Sequence, residues 1–513
     1  MSKDSRVSKS IKNARVNLIC YFVTLIVSFF TRKILIDNLG VDFLGLSGTL
    51  SSLLSFLNLA ELGIGSAISY VLYKPLADSD KFKVNEVVSV LGFLYKCIGY
   101  FIAVVGIILS LFLPLIFDDT PFSLEVIYFG FYAYLASSAI GYIVNYKSVL
   151  LAADQRNYIV TAYYQVSTVL KVLVQMLLAV LLKNFYVYFA IELIFATFNS
   201  VILNLRINST YPWLKTEIKQ GRRLLKQYPE IARYIKQLFF HQVGSFAQGQ
   251  LAPFLIYSFV NLTVVGLYGN YNLVIKRIES LIKGVLDSTA AGVGNLIASS
   301  NAIHIYDTFK ELLSIRVFVS GVLSCCIFYL INPFIEVWLG HEYVMDNTVA
   351  LLMAISFFVS LCRNVISQFA TGFGLFYDVW APIVETVIFV LVAVIGGYFY
   401  GITGILSASI VSIFLICYVW RAYFLYTKGF KESVWKFWML FISHTISILI
   451  AYFIARFVTS MVVEYDIVGD TWKNWIVSSC IFTSTISLAS AFLFYINSSG
   501  FRMFVNRFIK LKL

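Results

Sequence analysis

Apolar windows of about 20 residues recur along nearly the whole chain, separated by short polar turns. Each is long enough to cross roughly 30 Å of hydrocarbon as a helix. They predict about fourteen membrane spans, near residues 16–36, 43–72, 87–117, 122–150, 158–182 and 185–207, then 239–262, 264–292, 311–335, 347–373, 379–400, 402–426, 434–460 and 474–496. A membrane barrel of strands would need alternation in blocks of about 10 residues, a pattern this chain lacks. The largest polar interruption, 206–236, gathers Arg206, Lys215, Lys219, Arg222, Arg223, Lys226, Arg233 and Lys236 after the sixth window. It predicts a cytoplasmic connector between two bundles of six spans. Its 213–228 run is amphipathic enough to lie as a helix on the anionic inner leaflet, with Pro229 breaking that helix before a second short one leads into the seventh span.

Composition agrees with the pattern. The 513 residues are 59% hydrophobic and 13% charged, against roughly 45–50% and 25% for a soluble domain. An excess of 39 Lys and Arg over 27 Asp and Glu could point to nucleic acid, but the cations are distributed by loop. Loops counted as inside hold Lys74, Lys81, Lys83, Lys147, Arg156, the 206–236 connector, Lys310, Lys428 and Lys431, with Arg502, Arg507, Lys510 and Lys512 at the end. Loops counted as outside hold Asp118, Asp119, Glu336, Glu342, Asp346, Glu464, Asp466 and Asp470, with few basic residues besides Lys183 and Lys473. This bias predicts both termini in the cytoplasm and no nucleic-acid partner. The basic start of the chain leads into a span that is too long, and lacks the cleavage site, for a signal peptide. Seven cysteines without CxxC spacing and four scattered histidines imply neither a disulfide framework nor a metal site. The absence of GxxxxGK[ST], HExxH and GxSxG leaves no motif for ATP hydrolysis or for those enzyme classes. The expectation is a transporter without catalytic residues or cofactor, and the short outside loops disfavour a membrane polysaccharide polymerase.

The halves share punctuation. Gly45-Leu46-Ser47-Gly48 is matched by Gly266-Leu267-Tyr268-Gly269, and Gly63-Ile64-Gly65 by Gly292-Val293-Gly294, with an insertion in the eighth span. A tandem repeat of six spans preserves orientation, so the halves would be related by an axis along the membrane normal. Further motifs are Arg32 before Leu39-Gly40, Ala60-Glu61-Leu62-Gly63-Ile64-Gly65-Ser66-Ala67, Leu72-Tyr73-Lys74-Pro75-Leu76-Ala77, and the run from Gly372-Phe373-Gly374 to Trp380-Ala381-Pro382. On these residues and the six-plus-six-plus-two layout, the chain resembles the polysaccharide (Wzx-like, O-antigen and capsule repeat-unit) flippases of the multidrug, oligosaccharidyl-lipid and polysaccharide exporter (MOP) superfamily. The resemblance implies an all-α, MATE-like integral membrane fold of the bacterial cytoplasmic membrane. Its expected divisions are an N-terminal lobe at 1–207, the connector at 208–238, a second six-helix lobe at 239–428 and two additional helices with a basic tail at 429–513. It also implies a cargo of undecaprenyl-pyrophosphate-linked oligosaccharide moved by alternating access, and polysaccharide polymerase machinery as a partner alongside anionic inner-leaflet lipids. Lipid II and multidrug export, within the same superfamily, stay open.

A sugar headgroup needs a polar route, because each hydroxyl unpaired in hydrocarbon costs on the order of a few kcal/mol. Polar stripes at helical spacing supply candidates: Asn17, Tyr21, Thr24, Ser28 and Arg32; Ser47, Ser51, Ser55 and Asn58 with Glu61 beside them; His241, Ser245 and Gln248; and Asn272, Lys276, Glu279 and Lys283, with Asn270 and Arg277 adjacent. The resemblance implies that these first and second spans of each half line a central cavity, although for the Ser and Gly positions close helix packing and interhelical hydrogen bonds are the favoured reading. Charges inside spans cost roughly 2.5–3.5 kcal/mol each on insertion scales. Those kept here are Arg32, Glu61, Lys171, Glu192, Lys276, Arg277, Glu279, Arg363 and Glu385. Cavity candidates are therefore Arg32, Asn58, Glu61, Gln248, Asn272, Lys276, Arg277 and Arg363, whose cations suit a pyrophosphate. Snorkelling or mutual pairing, as between Lys276 and Glu279, is the competing explanation. Glu61, Glu192 and Glu385 are the ion-coupling candidates, with H+ or Na+ as the coupling ion.

Overall fold

A computed structural model describes residues 6–61, 63–287, 290–375, 378, 380–462 and 472–510, and within these the side chains of 6–14, 60, 237–238, 240–248, 290–292, 295, 298 and 508–510 lie outside the description. The described residues are almost wholly helical and divide by contacts into two compact units, Met1–Gly266 and Leu267–Leu513. The division falls at the start of the eighth expected span, so the seventh belongs to the first unit.

The first unit comprises α1 (Arg6–Leu39), α2 (Val41–Leu57), a tight turn at Asn58–Glu61, α3 (Ile64–Ala77), α4 (Lys81–Ser110), α5 (Leu113–Ile116), α6 (Leu124–Asn145), α7 (Ser148–Ala153), α8 (Asn157–Leu182), α9 (Phe185–Thr210), α10 (Gly221–Gln227), α11 (Pro229–Phe259) and the first turn of α12 (Leu262–Leu286). The second span is thus two helices and not one continuous crossing. The main pairings are α1 with α8, α6 with α4 and α9, and α11 with α2 and α3. Phe43, fully buried, fixes the start of α2 by stacking on Phe185 at 4.7 Å and meeting Tyr188 and Phe189 edge-on or tilted; each such aromatic pair adds roughly 0.5–1.5 kcal/mol beyond its burial. Beside it, α2 and α12 approach backbone to backbone. A Cβ on Gly45 would sit 2.1 Å from the Leu262 carbonyl oxygen, and one on Gly266 would sit 2.4 Å from that of Val41. Only glycine fits at either place, which gives the two repeat motifs a steric reason.

The connector is docked onto α4. Backbone N–H groups of Lys215 and Glu217 donate to Asn85 Oδ1 and Ser89 Oγ at 3.0 and 2.9 Å, and the Tyr228 hydroxyl donates to Glu86 at 2.6 Å. Tyr211 donates to Asp154 at 2.8 Å; burial, and then that carboxylate, push its phenol above the usual range, so it stays a donor. The expected helix over 213–228 is confined to 218–227, because 213 lies in a turn and 214–217 is non-helical, its Lys215 and Glu217 N–H groups bonded to α4. Pro229 opens α11 at its first turn, where a missing N–H is harmless, and α11 runs on unbroken for 31 residues. The expected second short helix is therefore the beginning of the seventh span. Lys215, Lys219, Arg222, Arg223, Lys226, Arg233 and Lys236 all stay exposed.

The second unit holds the rest of α12, then α13 (Ala290–Ser299), α14 (Ala302–Leu339), α15 (Asn347–Gly372), α16 (Ala381–Tyr400), α17 (Ile402–Ile413), which continues as wider turns through Phe414–Arg421, α18 (Ala422–Phe424) and Leu425–Phe430, and finally α19 (Trp435–Val462), α20 (Trp472–Asn497) and α21 (Ser499–Lys510). With 38 residues α14 is about 57 Å long, well beyond the hydrocarbon thickness. It forms the spine on which α15, α19, α20 and α21 pack. Phe309, Phe369 and Tyr426, all fully buried, fill one end of this core. The two additional helices are seated directly on α14: Ser314 bonds His444 of α19 at 3.3 Å, Tyr329 stacks on Phe482 of α20 at 4.2 Å, and Trp475 of α20 donates to the Leu330 carbonyl at 3.2 Å.

Eleven helices among the described residues are long and apolar enough to cross a membrane. The expected spans outside that set are α2, α11 and α12. The first ends at the break, the second carries His241, Gln242, Gln248 and Gln250, and the third carries Lys276, Arg277, Glu279 and Lys283. The first of these falls short by length, at 17 residues, and the other two by the polar and charged residues they carry.

Candidate functional site

Among the described residues, polar side chains form groups inside each unit. In the first, the break in the second span sets Asn58 and Glu61 at the end of α2, followed by Gly63 at φ 87°, a left-handed conformation that favours glycine. Glu61 is half-buried and accepts from the hydroxyls of Tyr95 on α4 and Tyr142 on α6 at 2.8 and 3.4 Å, while Ser138 donates to Asn58 Oδ1 at 3.0 Å. Both of these hydroxyl donors to the carboxylate are neutral, so it can take up a proton without giving up an ion pair. The stripe on α2 is divided: Ser47 is buried and bonded to Tyr134 at 2.7 Å, whereas Ser51 is exposed.

Arg32 lies on the far part of α1, half-buried, and donates to the Gly266 carbonyl at 2.9 Å, beside the Gly45 crossing. Glu192 on α9 is distant in partners from Glu61. It pairs with Lys171 of α8 at 2.7 Å and accepts from Gln175 at 3.4 Å. The pair lines a polar cavity of about 210 Å³ among α6, α8 and α9. His241, Ser245 and Gln248 lie on α11, with side chains outside the described residues.

In the second unit a polar seam joins α12 to α15. Glu279, buried, receives Lys276 at 2.7 Å, Lys283 at 2.6 Å and the Ser360 hydroxyl at 2.9 Å. One carboxylate thus holds two ammonium groups of its own helix, which still reach solvent-accessible space, and the local charge stays positive. Further along, Asp287 accepts from Arg316 at 2.8 Å and from Asn364 and Gln368. Arg363 pairs with Glu385 of α16 at 2.9 Å, and Arg421 pairs with Asp378 at 3.0 Å. Asn272 and Arg277 are half-buried on α12.

Three pairs of the expected charges therefore meet, Lys171 with Glu192, Lys276 with Glu279 and Arg363 with Glu385. Glu192 and Glu385 each face a cation. Sequence reasoning passed over most of the α15 stripe, although Ser360, Arg363, Asn364, Ser367 and Gln368 stand at the three- and four-residue spacing of one helical face. Arg316, 2% exposed in the middle of an apolar run, was also legible. The tyrosines that hold Glu61 had no sequence signal, being two among 33.

No family model matches the chain, and no curated protein sequence matches it. Solved structures do. A lipid II flippase MurJ in an inward closed conformation aligns at TM-score 0.66 and 14% identity over 93% of this chain and 98% of its own. An inward-facing multidrug resistance MATE family transporter of the MOP superfamily aligns at 0.55 and 16% over 82% and 99%. A mutant of the Vibrio cholerae MATE transporter VcmN aligns at 0.51 and 15% over 84% and 99%. The chain has the fold of these transporters, and it is a multi-pass membrane protein with eleven apolar helices of spanning length among the described residues.

Proposed function

We propose that the chain is a flippase of the MOP type that carries undecaprenyl-pyrophosphate-linked oligosaccharide across the bacterial cytoplasmic membrane by alternating access, with both termini in the cytoplasm. One observation carries the reading: Glu279, inside a helix of this fold, holds the ammonium groups of Lys276 and Lys283 within about 3 Å of one carboxylate. Held cations on a membrane helix suit a diphosphate, since they need no reorganisation to meet the anion. Arg32, Asn58, Gln248, Asn272, Arg277 and Arg363 complete the proposed path. Among Glu61, Glu192 and Glu385, Glu61 is the strongest coupling candidate, because the other two are neutralised by Lys171 and Arg363. A proton fits it better than Na+, since its observed partners are two hydroxyl donors. The exposed cations of the connector favour anionic inner-leaflet lipids at about 1 kcal/mol per residue. Polymerase machinery is the expected consumer of the cargo. Lipid II transport is the second reading, favoured by the likeness to MurJ, and multidrug export the third.

The test is reconstitution. Purified protein in vesicles is given a fluorescent undecaprenyl-pyrophosphate oligosaccharide, lipid II, or a cationic dye, with and without a pH gradient. Faster flipping of the oligosaccharide lipid, driven by the gradient in wild type and indifferent to it in Glu61→Gln, is expected. Transport of lipid II or dye in its place would overturn the cargo, and a gradient response preserved in Glu61→Gln would overturn the coupling role.

A further inference from the structure

The first unit contains a second place for an amphiphile, apart from the proposed path. The 210 Å³ polar cavity around Lys171 and Glu192 is continued by an apolar groove of about 390 Å³ between α8 and α9, the two sharing Ser167 and Asn199 as lining residues. The groove is walled by Tyr163, Val166, Leu170, Phe198 and Ile202, and its volume lies in the range of ligand pockets. A polar chamber opening into an apolar channel has the outline of a molecule with a polar head and a hydrocarbon chain.

The chemistry of the chamber narrows the head. Lys171 and Glu192 cancel at 2.7 Å, so the chamber has no net charge to select a phosphate or a carboxylate. It offers donors and acceptors together: the Lys171 ammonium and Asn199 amide, the Glu192 carboxylate, and Asn145, whose Nδ2 donates to Ser200 at 2.9 Å while its buried Oδ1 has no hydrogen-bond partner among the described residues. An unmet buried acceptor costs roughly 1–3 kcal/mol, which a ligand hydroxyl would relieve. Phe195 and Tyr164 add aromatic surface. Mixed donors and acceptors beside aromatic rings suit a hydroxyl-rich, uncharged sugar ring. Depth points the same way. Lys171 is about 21 Å along α8, near the middle of a helix of 26 residues. A resting phospholipid keeps its head at the surface; a head at mid-depth belongs to a molecule drawn inward.

We propose that this chamber and groove bind a neutral glycolipid, with one sugar ring among Asn145, Lys171, Glu192 and Asn199 and the chain between α8 and α9. The ligand class rests on the transport reading, but the site is testable without transport. Full-length protein in vesicles is labelled with a photoreactive decyl glucoside, and the adducts are mapped by mass spectrometry. Labelling on 162–170 and 198–202 is expected, competed at least tenfold better by decyl glucoside than by decyl phosphocholine. Lys171→Met with Glu192→Met removes the head contacts without stranding a charge and lowers labelling at least fivefold. Val166→Trp, on an exposed face, fills the groove and abolishes labelling. Equal competition by decyl phosphocholine, or labelling that survives Val166→Trp, overturns the proposal. If the double variant fails to accumulate, the competition and Val166→Trp still decide it. Labelling without flipping would leave the site and remove the transport reading; flipping without labelling would do the reverse.

Discussion

Replacing Glu279 by glutamine removes one negative charge from beneath two positive ones. The side chain is 6% exposed, while those of Lys276 and Lys283 are 59% and 35% exposed. Breaking a fully buried pair by deleting one partner costs roughly 3–5 kcal/mol, and an exposed pair is worth roughly 0.2–1 kcal/mol. With the carboxylate buried and both ammonium groups able to reach water, Glu279→Gln should cost about 1–3 kcal/mol. The amide keeps an acceptor for Ser360, so the loss is electrostatic. Lys276→Gln, at the more exposed end, should cost under about 1 kcal/mol. A triple variant with Lys276→Gln, Lys283→Gln and Glu279→Gln carries no stranded charge and should return to within about 1 kcal/mol of wild type. Reversible denaturation in detergent micelles measures all three, at low salt and at 1 M salt, where roughly 3 Å of Debye screening should narrow the differences. The reasoning is refuted if Glu279→Gln costs no more than Lys276→Gln, or if the triple variant is as unstable as the single one.

Gly45→Ala places a methyl 2.1 Å from a backbone carbonyl, whereas Gly48→Ala meets nothing nearer than 3.8 Å. The first should abolish folded protein, read by size-exclusion yield, and the second should leave the yield unchanged. Tyr228→Phe removes the hydroxyl that donates to Glu86, at a cost of about 1.5–3 kcal/mol, and should speed trypsin cleavage at Arg222 and Arg223. Burial and Glu86 raise the Tyr228 phenol above its ordinary value. Its bond is therefore fully present below about pH 10, the unfolded phenol's value, and lost as pH rises further, so the wild-type cleavage rate should approach that of Tyr228→Phe only in strong alkali. Truncation after Phe430 strips α14 of the partners of Ser314, Tyr329 and Leu330 and should prevent accumulation of the protein, measured by immunoblot of membranes.

Most of the helix map could be read in advance because a bilayer imposes one length and one polarity on every segment that crosses it. The eleven apolar helices correspond to windows visible by eye, and the connector announced itself by charge. Where spans carry function-like polarity, the windows misled. The segment at 43–72 is apolar enough to read as one span but breaks at Asn58–Glu61, since a left-handed Gly63 and the tyrosines holding Glu61 come from backbone conformation and from α4 and α6. The connector read as one helix over 213–228, yet backbone donors of Lys215 and Glu217 found Asn85 and Ser89 on α4, and no local pattern encodes a partner so far along the chain.

The sequence by itself determined a helical membrane protein, its approximate spans, and which residues bring charge into the bilayer, because transfer from water depends on residue type alone. Only the tertiary structure decided which charges neutralise one another. Lys171 and Glu192 stand on different helices, as do Arg363 and Glu385, and Glu61 has hydroxyl partners where either of the other two carboxylates has a cation. Pairing depends on distances of about 3 Å between side chains, and those are set when helices pack.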